Sequence, residues 1–286
     1  MQQPIWHGLS AEEHEAQYNP QRSVPDFMAY GARREAPNER ARVLRRHADV
    51  AFGPGALHKL DIYPADRPQA PVHIFLHGGY WRGQDKQNFA FVASELVPRG
   101  ITTVVANYDL CPAVTLDGTV SSALASIEWT ARNIATYGGD PALITVSGHS
   151  AGAHLSAAAL ATDWSARGLP HDLLKGGVLI SGVYDPAPAA LTTVNAEIRL
   201  TDEIAARHNY ERITPLARCP VWLVAGAAEP WHWIDQTYRY AHHLHRHGRP
   251  PGVIVVPQRH HFDIIDQYLD PASDIIRCIL GLAGKS

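Results

Sequence analysis

Apolar residues along this chain gather in six short, dense runs: VHIFLH, ITTVVAN, LITVSG, GVLISG, VWLVAG and GVIVVP, starting at Val72, Ile101, Leu143, Gly177, Val221 and Gly252. Each is rich in β-branched or leucine side chains, and none alternates apolar with polar. That pattern fits strands buried on both faces of a parallel sheet. Between the runs the spacing changes to a helical one, as where Val120, Leu124, Ile127 and Ile134 recur on one face. Two further runs, His47 to Phe52 and His58 to Tyr63, flank the turn sequence GPGA and predict an antiparallel hairpin. A hairpin followed by strands in β-α-β succession predicts an eight-stranded, mostly parallel, doubly wound α/β sheet with helices on both faces.

The first 45 residues break this pattern. They are polar, rich in Glu and Arg, and poor in branched side chains. LSAEEHEAQY predicts a helix with Ser10 as N-cap and Glu13 completing a capping box. VPDFMAYGARREAPNERARVL predicts a second helical segment, interrupted near Pro37. Residues 1–45 are therefore expected to form a helical arm lying on one main domain, residues 46–286. A chain of 286 residues can bury a core of that size in a single unit.

Charge and composition narrow the partners. The formal net charge is −3, with 25 basic and 28 acidic residues and no basic stripe, which argues against a nucleic-acid partner. MQQPIWHGLS has no charged segment leading into an apolar one, so no signal peptide is expected. No apolar run approaches the roughly 20 residues that span a bilayer. Cys111, Cys219 and Cys278 are scattered and odd in number, with no C-x-x-C pair and no disulfide framework. These features predict a soluble, cytoplasmic protein that does not engage membranes; a homo-oligomer stays open.

The chemistry concentrates in VSGHSAGAHL, residues 146–155. Ser150 falls between an apolar strand and the helix-forming run AGAHLSAAALA, with Gly148 and Gly152 on either side. A serine on a sharp strand-to-helix turn needs small neighbours, and the turn lifts its hydroxyl above the sheet beside a helix N-terminus. A plain N-capping serine would need neither the strand before it nor both glycines, so Ser150 reads as a nucleophile. Upstream, His77-Gly78-Gly79-Tyr80-Trp81 follows the third strand. Backbone N–H groups at Gly78 and Gly79, with that of Ala151, are candidates for an oxyanion hole. A serine nucleophile needs a base and an acid to orient it. His261, in the loop PQRHHFDII after the last strand, is the candidate base, with His260 as runner-up. Glu229, in the loop AAEPWHWID after the seventh strand, is the candidate acid; Asp235 falls in the following helix, and Asp263 lies too near His261 in sequence.

Seventeen histidines invite a metal reading. His242, His243, His245 and His247 crowd one helix end, and His243 and His247 share a face, but no third ligand accompanies them. No metal site and no cofactor are expected.

HGGYW, GHSAGAHL and HHFDIID together resemble kynurenine formamidase, also called arylformamidase, within the α/β-hydrolase superfamily. LSAEEHEAQYNP, ANYDLCPAVTLDG, ATDW, LISGVYD and the ITP tripeptide at 213–215 extend the resemblance over nearly the whole chain. It implies an α/β-hydrolase fold, a nucleophile at Ser150, oxyanion glycines at Gly78 and Gly79 and a histidine at His261. The family's acid is usually Asp; here Glu229 stands at that position, one methylene longer. The implied activity is hydrolysis of N-formylkynurenine. A carboxylesterase or amidase for another small acyl substrate is the alternative, and a non-catalytic binding protein of the same fold a more distant one, against which the intact Ser–Glu–His set speaks. Tyr80 and Trp81 beside the oxyanion glycines, and Trp231 and Trp233 after the acid, are expected to wall a flat apolar pocket for a small, aromatic substrate.

Overall fold

In a computed structural model the described residues are 8–284; the first seven residues of the arm, and with them most of the segment read for a signal peptide, lie outside the described residues. Eight strands form one sheet: β1 (His47–Ala51), β2 (Lys59–Tyr63), β3 (Ala70–Leu76), β4 (Thr102–Ala106), β5 (Gly139–His149), β6 (Leu174–Ile180), β7 (Val221–Gly226) and β8 (Gly252–Val256). Their order across the sheet is β1-β2-β4-β3-β5-β6-β7-β8. β1 pairs antiparallel with β2, Val50 opposite Leu60, and β2 antiparallel with β4; the other pairings are parallel.

Every residue of β3 and β4 is buried, as strands covered on both faces require. The period of two then sends successive side chains into different cores. Val72, Ile74 and Leu76 of β3 join Val104, Val146 and Leu179 under the helices Leu116–Asn133 and Ala151–Ala161. Phe75, with Val105, Val178, Ile180 and Val224, joins the opposite core, closed by Ile275, Ile276 and Ile279 of the helix Asp274–Leu282.

The arm folds as helices Ala11–Tyr18, Pro20–Ser23, Phe27–Arg33 and Glu35–Arg42. Its capping box forms: the Ser10 N–H donates to Glu13 Oε2 at 2.8 Å and the Glu13 N–H to Ser10 Oγ at 3.2 Å. The interruption expected near Pro37 falls instead at Arg34. Pro37 sits in the first turn of the last arm helix, where a missing N–H costs nothing. The arm crosses the loops at the carboxyl edge of the parallel strands. His14 Nε2 donates to the Pro188 carbonyl at 2.8 Å beyond β6, Tyr18 Oη bonds His232 Nδ1 at 2.8 Å beyond β7, and Arg34 Nε meets Asp266 at 2.5 Å beyond β8.

Candidate functional site

Ser150 follows the last residue of β5 and precedes a helix with no residue between, so the chain reverses within one residue. Its backbone pays with φ 57° and ψ −118°, a conformation L side chains rarely adopt. Two close approaches hold the turn. A Cβ at Gly148 would lie 2.1 Å from the Gly152 carbonyl oxygen, and one at Gly152 would lie 1.9 Å from that of Leu76. Only glycine fits either position. The Ser150 N–H donates to the Ile180 carbonyl at 2.8 Å, anchoring the turn to β6.

Ser150 Oγ lies 3.0 Å from His261 Nε2, and His261 Nδ1 lies 2.8 Å from Glu229 Oε2. All three are buried. Glu229 is held by its other oxygen, which accepts from Ser181 Oγ at 2.6 Å and from the Gly226 N–H at 2.7 Å. The ends of β7 and β8, which lead to Glu229 and to His261, are drawn together. The Ala227 N–H donates to the Val256 carbonyl at 2.9 Å and the Ala228 N–H to the Arg259 carbonyl at 2.8 Å. A Cβ at Gly226 would stand 2.2 Å from that same Arg259 oxygen.

Around this chain of bonds sit two residues that sequence reasoning passed over. His149 Nε2 donates to the His261 carbonyl at 2.8 Å, with ring centroids 4.7 Å apart. Burial, then the charges of His261 and Arg34, hold its pKa well below the usual imidazole value, so the ring is neutral. Ser181, at the end of β6 with φ 49°, supplies the hydroxyl to Glu229. His149 carried a signal as the residue before the elbow serine; Ser181 carried one only as the serine of LISG after a strand.

Gly78 presses against the elbow: a Cβ there would lie 3.0 Å from the His149 carbonyl oxygen and 3.3 Å from Ser150 Cβ. Gly79, at φ 119°, has no room for a side chain because the Gly83 carbonyl oxygen would be 2.2 Å away. Ala151 is the first residue of the helix, where an N–H has no intrahelical acceptor. The left-handed backbone continues through Tyr80 (φ 52°) and Trp81 (φ 58°), and the Trp81 carbonyl is tied by the Cys111 N–H at 2.8 Å.

The expected aromatic wall is arranged differently. Trp81 is 0% exposed and packs edge-on against His154, centroids 4.9 Å apart, so it belongs to the core and not to an open pocket. Trp233 is 1% exposed; its indole N–H donates to the Ser181 carbonyl at 2.9 Å and its ring meets His261 edge-on at 4.8 Å, so it backs the histidine. Trp231 begins its helix on the solvent side and is 60% exposed. Burial of large rings decides the first two, and helix phase the third. Tyr80 is half-buried, and its hydroxyl donates to the Tyr18 carbonyl at 2.8 Å, joining the arm to the glycine loop.

His260 turns from Ser150 toward the arm: Nδ1 accepts from the Phe262 N–H at 3.1 Å, and its ring meets Tyr30 at 4.6 Å. Asp235 pairs with Arg239, and Asp263 accepts from the His260 N–H at 2.7 Å, so neither approaches the role of Glu229. In the histidine-rich helix end, His243 Nε2 donates to the Ile213 carbonyl at 2.8 Å. Among the described residues no group of three or more His, Cys, Asp or Glu side chains stands together as a metal site. No helix among them is long and apolar enough to cross a membrane.

A cavity of about 290 Å³ is lined by Asn19, Gln21, Arg22 and Phe27 of the arm and by Arg82, Thr193, Val194 and Glu197. Arg82 follows β3 and Thr193 to Glu197 follow β6, the two neighbours of β5.

A sequence profile described as an alpha/beta hydrolase fold matches residues 73–263. Kynurenine formamidase of Danio rerio is 31% identical over 98% of this chain and 99% of its own length, and that of Drosophila melanogaster 27% over 76% and 75%. Esterase LipQ of Mycobacterium tuberculosis is 32% identical over 54% of this chain and 36% of its own. A solved structure from Silicibacter sp. shares the fold with a TM-score of 0.81 at 24% identity, over 92% of this chain and 97% of that one. By full-length similarity and by fold, this chain belongs to the kynurenine formamidase family of α/β hydrolases, and it is a hydrolase.

Proposed function

We propose that the protein is a serine hydrolase that releases a small acyl group, formyl foremost, from an aromatic amide, acting as an arylformamidase on N-formylkynurenine. The observation that carries this reading is the continuous chain of bonds from Ser150 Oγ through His261 to Glu229, at 3.0 and 2.8 Å. Ser150 Oγ attacks the carbonyl carbon while His261 Nε2 takes its proton; the carbonyl π pair moves onto oxygen, which the N–H groups of Gly78, Gly79 and Ala151 receive. Glu229 keeps the His261 proton on Nδ1 and stabilises the imidazolium. The tetrahedral species collapses, the bond to the leaving amine breaks, and His261 gives that nitrogen its proton. Water then attacks the acyl-serine by the same route and returns Ser150. Gly78 against Ser150 leaves little room on the acyl side, which favours a small acyl group. The similarity to an esterase supports a second reading, hydrolysis of small aryl esters at the same site.

The test pairs two substrates and one variant. Wild-type protein is expected to turn over both N-formylkynurenine and p-nitrophenyl acetate and to be labelled by a fluorophosphonate probe. Ser150→Ala is expected to lose labelling and turnover by about 10³-fold or more while keeping its melting temperature. Ester turnover without detectable N-formylkynurenine turnover would leave only the esterase reading; a labelled, active Ser150→Ala would end both.

A further inference from the structure

We propose that Arg34, in the amino-terminal arm, is a positioning residue for His261, acting through the backbone of the loop that carries it. The inference rests on the reading of His261 as the base. Between the end of β8 and Ile264 the chain has no helix or strand, so no ladder of regular bonds fixes His261. Separate bonds hold the loop, among them two at consecutive carbonyls that flank His261's own link to Phe262. That of His261 accepts from His149 Nε2 at 2.8 Å, and that of Phe262 accepts from the Arg34 guanidinium. The same guanidinium reaches Asp266 through Nε at 2.5 Å, bracketing the loop on its far side. Its side chain is 10% exposed and lies over the Phe91 ring, 5.7 Å from the centroid. Arg34 sits at the break between two arm helices, so both helix ends fix where its side chain starts.

Two further arm residues reach the same loop. Phe27 meets Phe262 with ring centroids 5.4 Å apart, and Tyr30 meets His260 at 4.6 Å. A carbonyl clamped on each side of one peptide leaves little freedom to slide. His261 must hold one bond to Ser150 and another to Glu229 at the same time, and about 1 Å of misplacement at a reacting centre costs on the order of 100-fold. A lysine carries the charge but not the planar fork that serves a carbonyl and a carboxylate together.

The experiment uses the full chain and p-nitrophenyl acetate. Arg34→Ala is expected to lower kcat by about 10- to 100-fold with KM within about threefold of wild type. Millimolar free guanidinium is expected to restore part of that kcat, and Arg34→Lys to fall between the two. Asn38→Ala is the control. Asn38 holds the arm elsewhere, donating to the Asn88 carbonyl at 3.0 Å and accepting from the Phe91 N–H at 3.0 Å. Assayed below its melting temperature, it is expected to stay within about twofold of wild-type kcat, since no reacting group moves. If Arg34→Ala does not fold, Arg34→Lys carries the test alone, and a wild-type kcat there overturns the proposal. So do an Asn38→Ala loss equal to that of Arg34→Ala, or an unchanged kcat in Arg34→Ala. Ser150→Ala, run in parallel, separates the two ideas: if it is inactive while Arg34→Ala is normal, the clamp fails and the serine mechanism stands.

Discussion

Taking the protein from pH 7 to pH 5 protonates histidines in the unfolded chain that the folded chain keeps neutral. His73, His77 and His154 are each no more than 1% exposed, and burial pushes their pKa values down to about 3, about 4 and about 3. His73 is fixed between Thr145 Oγ1 at 2.9 Å and Ser147 Oγ at 2.7 Å; His77 stacks on Tyr108 at 4.4 Å; His154 donates to the His208 carbonyl at 3.0 Å. In the unfolded chain each titrates near 6.5, so between about 6.5 and 4 the unfolded state binds more protons than the folded one. Stability is full above that window and falls with pH through it. Each histidine removes about 2 kcal/mol between pH 7 and pH 5, and the three together about 6, comparable with the ~5–15 kcal/mol that holds a domain folded. Carboxylates such as Asp117, held at about 2 first by Arg207, withdraw their contribution only at lower pH. Urea unfolding followed by tryptophan fluorescence, at half-unit steps of pH, measures the slope directly. Near pH 5.5 His73, His77 and His154 together contribute about 4 kcal/mol per pH unit to that slope, and His73→Gln should remove about a third of their share. An unfolding free energy constant within about 1 kcal/mol from pH 7 to pH 5 would refute the reasoning.

Glu229→Gln is expected to lower kcat by about 10³-fold or more, because Ser181 and Gly226 both donate to Oε1 and so leave the amide NH₂ facing His261 Nδ1, which forces the proton onto Nε2 where it blocks Ser150. Asp235→Asn, whose carboxylate only pairs with Arg239, should stay within about threefold in steady-state kinetics. His261→Ala should lose about 10³-fold, and His260→Ala less than about tenfold, since its ring faces Tyr30; equal losses would mean the base is misassigned. Gly152→Ala should yield insoluble or unfolded protein, as its Cβ meets the Leu76 carbonyl oxygen at 1.9 Å, and a soluble variant with wild-type circular dichroism would show that the elbow can relax.

The sheet was readable because buried parallel strands leave dense apolar runs, and all six of those runs became strands. What the pattern does not encode is lateral order: β3 sits between β4 and β5, and β2 pairs with β4, facts set by crossover handedness and by the hairpin's edge. The elbow was readable because Gly148 and Gly152 both stand within two residues of Ser150, although the contact that Gly152 answers to is the distant Leu76 carbonyl. Trp81 and Trp233 were harder. A tryptophan next to a catalytic motif has the same spelling whether it lines a pocket or fills a core, and only the depth of packing separates the two. Arg34 carried no signal and Ser181 only that of a serine after a strand, since their partners lie 228 and 48 residues away along the chain.

The arm's contacts also set an order of events during synthesis. Its partners Pro188, His232 and Asp266 lie 174, 214 and 232 residues beyond the arm residues they hold. The arm thus leaves the ribosome well before the segments that hold it and docks only after they follow. Loop closure over such separations is slow, and contacts of this range arrive after the local ones. The His261 loop is translated long after the arm, and it gains its arm-side clamp only when the arm helices fold back over it. Assembly of the site therefore waits for the loop after β8: a polypeptide that stops short of it carries Ser150 but no His261 to meet it.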